Sequence, residues 1–508
     1  MEAPGQPSRF GIGNASKIAV AVLLASLSGH FALFMYFGVS AIAFPYELDY
    51  GEGIVWQQMR SILAGQGYTP LGVFPAIVFH YPPIYHLTAA AVASMTSLDM
   101  LASGRLVSFV SALTCGLLVA LWTARLTSSE QPWVRWSSAS TAGLSALAFL
   151  PVHAWAPLMR VDMLACALSL AGLQASILAL RRPGWIHLAS ALFVAALYTK
   201  QIMVSAPAAV FIVLLLVRPK LAWQGIATAV VLGAVALLVL AVLTDGGFIR
   251  HVFFYNVNRF EVARLWFLAA AFSAHAVWVG LGYWAAARSL PDLRLRGWRD
   301  LEHSTRQIQL LIGALYLLLT TVALVAVGKV GASINYFVEW AFALAPFIGL
   351  SLSLAFRSAF GGVSHRPLMA VVIPLALAVQ PWLIDGPRRH ESVAGDDLNG
   401  LRVIEDRIRS ARGPVISDDM VLLLRSGREV LWEPAIAAEL ASTGVYDERA
   451  FVRMIQERRF AFFITMGDER WARFRERYNP IVRDALQEHY PIREYVGERV
   501  VHLPAEKR

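Results

Sequence analysis

The chain has 508 residues, 57% of them hydrophobic and only 16% charged, a balance that excludes an ordinary soluble globular protein. A formal net charge of +9 does not point to nucleic acid, because Lys and Arg fall largely between apolar segments, where they set membrane topology. Its two cysteines, Cys115 and Cys166, both lie inside apolar segments, which excludes a disulfide framework.

The first apolar segment, 17–44, is too long for a signal-peptide core and lacks a small-residue cleavage site, so it reads as a retained signal-anchor helix. Further apolar runs at 103–125, 138–157, 161–181, 185–200, 202–217, 222–244, 265–288, 308–328, 336–356 and 367–384 bring the candidate spans to eleven. The pair 185–200 and 202–217 is short and is expected to form a hairpin meeting at Lys200 and Gln201. The piece 83–98, after Pro82-Pro83, either spans or lies at the interface. Charge arbitrates: if it does not cross and the N-terminus is cytoplasmic, the inner side collects most loop Lys and Arg, including the dense 288–306 loop.

The same topology gathers Glu47, Asp49, Glu52, Asp99, Asp162, Asp245 and Glu261 on the outer side and places the C-terminal tail there. That tail alternates short β-like and helical pieces: 414–416 leading into 417–419, then 428–432, a helical 447–458, a strand-like 460–465, a helical run at 471–477 and a closing strand at 498–503. The expected fold class is an α-helical polytopic membrane protein. It has about eleven transmembrane helices plus juxtamembrane helices across 1–384, a first outer loop at 45–102, and a small extracytoplasmic α/β domain over 385–508. The expected location is the plasma membrane, a bacterial inner membrane.

The first outer loop opens with Glu47-Leu-Asp49-Tyr-Gly-Glu52-Gly, and a carboxylate at a helix mouth can serve as a general base when burial and neighbours tune it. Asp49 is the first candidate, with a helix N-cap as its structural alternative, and Glu52 is the second, with a first-turn dipole role as its alternative. His80 and Tyr81 precede two prolines that hold them extended, aimed into a pocket or simply starting an interfacial helix. Arg160 and Asp162 flank a helix mouth, where they either pair with each other or contact a phosphate and an acceptor. Lys200, alone between two short apolar helices, needs an anionic partner or must snorkel. Asn256 and Arg259 lie in an aromatic-rich loop over 245–264, and Lys329 and Tyr336 at another helix mouth, with Asn335 and Glu339 beside them.

No GxxxxGK[ST] loop, HExxH pair or CxxC occurs, so neither nucleotide hydrolysis nor a thiolate metal site is supported. His153 and His187 read as structural. The ELDYGEG loop, the Gly65-Gln-Gly67-Tyr68 turn, Tyr81-Pro82-Pro83, Arg160-x-Asp162 and Thr199-Lys200, in that order and on one side, resemble the GT-C class of membrane glycosyltransferases. Protein mannosyltransferases and lipid A aminoarabinose transferases are grouped there.

The resemblance implies a polyprenyl-phosphate sugar donor used on the extracytoplasmic face, with Asp49 matching the acid that activates the acceptor, Asp162 the second-loop acid and Lys200 a contact to the donor phosphate. Many relatives place the first-loop acids side by side, so either Asp49 or Glu52 can correspond to the base. The expected function is transfer of a sugar, with inversion, to a glycolipid, polysaccharide or protein acceptor. The partners are then that donor, that acceptor and membrane lipids, with no nucleic acid. No cofactor is required, and a divalent metal has no support in the sequence. A multi-span secondary transporter is the alternative, and it predicts midplane polar groups and internal symmetry, of which no second copy is evident.

Overall fold

The computed structural model describes residues 9–72, 74–256, 258–290, 304–360, 368–383 and 398–505. Each of the eleven apolar runs is mainly helical over its described residues. The first ten helices are α1 (Arg9–Ala43), α2 (Gly51–Leu63), α3 (Ile84–Met95), α4 (Met100–Leu126), α5 (Pro132–Ala148), α6 (Leu150–Trp155), α7 (Asp162–Ala179), α8 (Trp185–Leu197), α9 (Ser205–Val217) and α10 (Pro219–Leu243). Among the described residues six helices are long and apolar enough to cross a membrane. The pair Val262–Ala274 and Ala276–Ser289, bent by 84°, adds a seventh if counted as one span.

The remaining apolar helices are short. α8 and α9 have 13 residues each and meet around Lys200. The 138–157 run divides into α5 and α6, because Phe149 is extended (ψ 131°) and Pro151 sits in the first turn of the next helix. α3, with 12 residues, reaches only about 18 Å against a hydrocarbon core of about 30 Å, too short to cross upright. One face of it buries Tyr85, His86 and Ala89. The arginines of the 291–303 stretch lie outside the described residues.

The bundle centre is α4, α5, α7 and the nearly enclosed helix Val338–Phe360. α4 and α5 approach closely because Gly116 faces Gly143; a Cβ on Gly143 would lie 2.7 Å from the Gly116 carbonyl oxygen. Trp122, Trp278 and Trp340 fill the space around them and are fully buried.

The tail forms a four-stranded sheet, β1 (Val415–Ser417), β2 (Phe462–Met466), β3 (Ile492–Val496) and β4 (Arg499–Leu503), in the order β1-β2-β4-β3. β1 and β2 are parallel and the other pairs antiparallel. The boundary expected near 385–399 falls mostly in 384–397, outside the described residues.

The sheet unit does not stand apart from the first loop. Val421, Leu422 and Ile464 share a core with Ile54, Val55 and Met59 of α2. Gly53 permits this, since a Cβ there would stand 2.5 Å from the Met420 Cβ and 2.8 Å from the Val421 nitrogen. Three polar ties clamp the segment after Met420–Arg425: Arg60 Nη1 to the Arg428 carbonyl (3.1 Å), Val430 N–H to Gln57 Oε1 (3.0 Å) and Ala76 N–H to the Leu431 carbonyl (3.0 Å).

Candidate active site

The ELDYGEG loop is held by Glu52. Its side chain is fully buried, and its two oxygens take Arg105 Nε at 2.7 Å and Nη2 at 2.6 Å. They also accept the backbone N–H groups of Leu48 (2.8 Å), Asp49 (3.3 Å) and Met159 (2.9 Å). Burial opposes the charge, but Arg105 outweighs it and holds the carboxyl below its ordinary range. Arg105 in turn donates to the carbonyls of Ala41, Phe44 and Tyr46, so α1, the loop and α4 are tied at one point. Glu52, expected as an alternative catalytic acid, has its hydrogen-bond capacity taken up inside the wall by Arg105 and three backbone N–H groups.

Asp49 stands differently. Its Oδ1 accepts the Gly51 N–H at 3.1 Å and lies 3.3 Å from Arg160 Nη1, while the side chain keeps about a quarter of its surface open. The N-cap expected of Asp49 is not formed, since α2 starts after Tyr50 without a side-chain cap, and Oδ1 serves the turn before it instead. Burial raises its carboxyl above the ordinary value, with Arg160 acting in the opposite direction. Gly51 makes room for the pair: a Cβ there would fall 1.2 Å from Arg160 Nη1. The Arg160 guanidinium lies 5.2 Å over the Trp155 ring, and its Nε is buried without a hydrogen-bond partner.

Asp162, at the start of α7, forms an ion pair with Lys200 and accepts Asn335 Nδ2 (3.1 Å) and Trp155 Nε1 (2.9 Å). Thus α7, the α8–α9 hairpin and the 334–337 turn converge on one carboxylate. Lys200 also sits 5.6 Å over the Tyr336 ring. Tyr81 lies near both Arg160 and Lys200. Beside it, the His80 carbonyl accepts Gln201 Nε2 at 2.9 Å. Burial, with His251 and Arg160 nearby, lowers the His80 imidazole to about 4, so it is neutral near pH 7.

Six of the sequence candidates thus form one cluster: Asp49, Tyr81, Arg160, Asp162, Lys200 and Tyr336, with His80 at its edge. Asn256, Arg259 and Lys329 make no hydrogen bond or ion pair with it. Arg259 reaches the other way, to Glu439 of the sheet unit (Nη2 to Oε2, 3.1 Å). Lys329 pairs through its backbone with Phe260.

The sequence reading passed over Arg105, Glu433 and Arg477. Arg105 carried a signal, as a charge within an apolar run that requires a buried partner. Arg477 reaches the first loop from the sheet unit, 3.9 Å over the Tyr50 ring and 3.2 Å from Asp418. Among the described residues no group of three His, Cys, Asp or Glu side chains is arranged to hold a metal ion.

No protein-family model matches the sequence, and a search of curated proteins finds no match. Solved structures do match. ArnT from Cupriavidus metallidurans bound to undecaprenyl phosphate is 14% identical over 99% of both chains, with a TM-score of 0.59. The Archaeoglobus fulgidus oligosaccharyltransferase tethered with an acceptor peptide is 11% identical over 91% of this chain and 72% of that one, with a TM-score of 0.54. AglB from the same organism, in complex with an inhibitory peptide and a dolichol-phosphate, is 10% identical over 94% and 74%, with a TM-score of 0.50. These likenesses show the fold: a polytopic helical bundle with short helices in its first loop and a C-terminal sheet unit packed on that loop.

Proposed function

We propose that the protein is an integral-membrane glycosyltransferase. It moves a sugar from a polyprenyl-phosphate donor to a hydroxyl of a glycolipid, polysaccharide or protein acceptor, with inversion, on the extracytoplasmic face. The observation that carries this reading is the partly open Asp49 carboxylate set against two cations, Arg160 and Lys200, at one end of an apolar bundle. Neighbours of the same fold that hold undecaprenyl phosphate and dolichol-phosphate support the donor class.

In this reading the acceptor oxygen attacks the anomeric carbon while Asp49 takes its proton. The bond from that carbon to the phosphate oxygen breaks, and the lipid phosphate departs with the electron pair. Arg160, through its free Nε, and Lys200 meet the negative charge that develops there. Asp162 fixes the Lys200 ammonium. Glu52 with Arg105 holds the loop so that Asp49 needs no rearrangement to act. The membrane supplies the lipid directly to the bundle end.

Reconstitution in lipid nanodiscs with polyprenyl-phosphate sugars extracted from the host membrane tests this. Transfer should release polyprenyl phosphate, Asp49→Asn should abolish release, and NMR of the product should give an inverted anomeric configuration. A retained configuration contradicts single displacement, and release that survives Asp49→Asn contradicts the base.

A further inference from the structure

The joint between the first loop and the sheet unit encloses a cavity of about 400 Å³, within the range of small-molecule sites, about 300–1,000 Å³. One side is a face of α2, where Gln57, Arg60, Ser61 and Ala64 follow one another at three- and four-residue steps. Glu429 and Val430 line it from the sheet unit, and Gln66, Thr69, Pro70 and Pro75 from the first loop. No side chain of the Asp49 cluster lines it, and Gln57 stands about 9 Å beyond Gly51 along the α2 axis. Phe79, which also lines it, directly precedes His80 at the cluster's edge.

The chemistry of the lining narrows what fits. The Val430 N–H donates to Gln57 Oε1, the Ala76 N–H to the Leu431 carbonyl, and Arg60 Nη1 to the Arg428 carbonyl. The two segments that meet here thus pair with each other and offer a peptide no open strand edge. The charged lining is one guanidinium, Arg60, and one carboxylate, Glu429, a balance that favours neither an anion nor a cation. Gln57 is held at both ends, since its Nε2 also donates to Ser61 Oγ at 3.1 Å. The Gln66 amide, the Thr69 hydroxyl and the Glu429 carboxylate make no hydrogen bond among the described residues, and Arg60 keeps Nε and Nη2 for an occupant. Pro70, Pro75, Ile77 and Phe79 supply an apolar wall beside them. Planar amide, carboxylate and guanidinium groups next to apolar rings match a sugar, whose hydroxyls ring its edge and whose C–H faces are apolar.

We propose that this cavity binds a neutral saccharide, separately from the transfer site. Its role rests on the glycosyltransferase reading: it holds a sugar of the acceptor other than the one that is glycosylated, which makes the acceptor a glycan of more than one unit. Because the Gln57–Val430 and Arg60–Arg428 ties lie in its lining, an occupant also steadies the sheet unit on α2.

The full-length protein in nanodiscs, without donor, can be titrated with methyl glycosides of the common hexoses, inorganic phosphate and a Ser/Thr-containing peptide, with binding read by saturation-transfer NMR. Methyl glycosides should bind and slow hydrogen exchange at the Val430 and Ala76 amides. Gln66→Ala combined with Glu429→Ala should weaken that binding about tenfold, the scale of two lost hydrogen bonds. Ala64→Trp, which fills the cavity from the end of α2, should abolish it. Both variants should unfold at the wild-type temperature, since all three side chains are exposed; if Ala64→Trp does not fold, the double variant decides. With donor and oligosaccharides released from the host envelope, the double variant should raise the half-saturating concentration about tenfold, whereas Asp49→Asn removes the rate. No glycoside binding by the wild type, glycoside binding as tight in the double variant as in the wild type, or binding of phosphate or the peptide in place of glycosides would each overturn the site. Absence of donor turnover by the wild type would end the glycosyltransferase reading alone, and the binding result would still decide the site.

Discussion

Arg160 reaches the Asp49 carboxylate, Nη1 to Oδ1 at 3.3 Å, through the space that Gly51 leaves by having no side chain. One residue type in the loop therefore decides whether the candidate base and the candidate phosphate ligand can lie together. Gly51→Ala should push the guanidinium tip aside while the fold survives, because the atom displaced ends a flexible side chain. Donor turnover should fall by about 100-fold, the size of effect an ångström of misplacement produces at a reacting centre. Steady-state rates alongside thermal unfolding check this; a normal rate would show that the pairing is incidental.

Arg105 and Glu52 are both fully enclosed, and each satisfies the other. Removing one partner leaves a buried charge uncompensated, which costs about 3–5 kcal/mol. Arg105→Met should therefore lower the unfolding temperature sharply, whereas Asp49→Asn, at a partly open site, should leave it nearly unchanged. Thermal unfolding of the two purified variants, measured side by side, separates the anchor from the base.

The acid limb of the rate profile reports Asp49. Its carboxyl lies above an ordinary aspartate because burial outweighs Arg160. The deprotonated form is the base, so the rate rises as pH climbs through this raised value and is lost below it. Arg160→Gln removes the cation that opposes the rise and should move the limb further up. His80, neutral near pH 7, should leave the limb in place when replaced by Asn. A limb at the ordinary aspartate position would exclude Asp49.

Gly53 plays for the sheet unit the part Gly51 plays for Arg160, but what it meets is backbone and Cβ rather than a flexible tip. Gly53→Val should prise the Met420–Arg425 helix off α2 and open the Val430–Gln57 and Ala76–Leu431 ties. Hydrogen exchange at the Val430 and Ala76 amides should accelerate, while the exchange of α4 and α7 stays as it was.

Much of this site is legible in the sequence for one physical reason: a charge at the end of an apolar run has few inexpensive explanations. Asp49, Arg160, Asp162 and Lys200 stood out that way, and they do converge. The pairing of Glu52 was not legible that way, because its partner Arg105 lies 53 residues away and meets it only once α4 has packed against the loop. Arg259 stood out on composition in a loop, where charge has several uses, and the fold turns it toward Glu439; Lys329 stood out at a helix mouth, and its backbone pairs with Phe260. Glu433 gave no local signal, because the tail is polar enough for a lone acid to pass unnoticed until the fold buries it. β3 was passed over for a related reason, being an edge strand with most of its residues exposed and therefore without a clean apolar alternation. The helices themselves were plain, since a membrane demands long apolar runs and satisfies their backbones internally.

The central claim is that Asp49 drives glycosyl transfer from a lipid phosphate. Mass spectrometry of envelope glycolipids and polysaccharides tests it most directly, comparing cells that carry the wild-type protein, no protein, or the Asp49→Asn variant at equal abundance. The account predicts one sugar-sized mass difference on one acceptor, lost alike without the protein and with Asp49→Asn. An unchanged profile without the protein, or full restoration of the lost mass by Asp49→Asn, would contradict it.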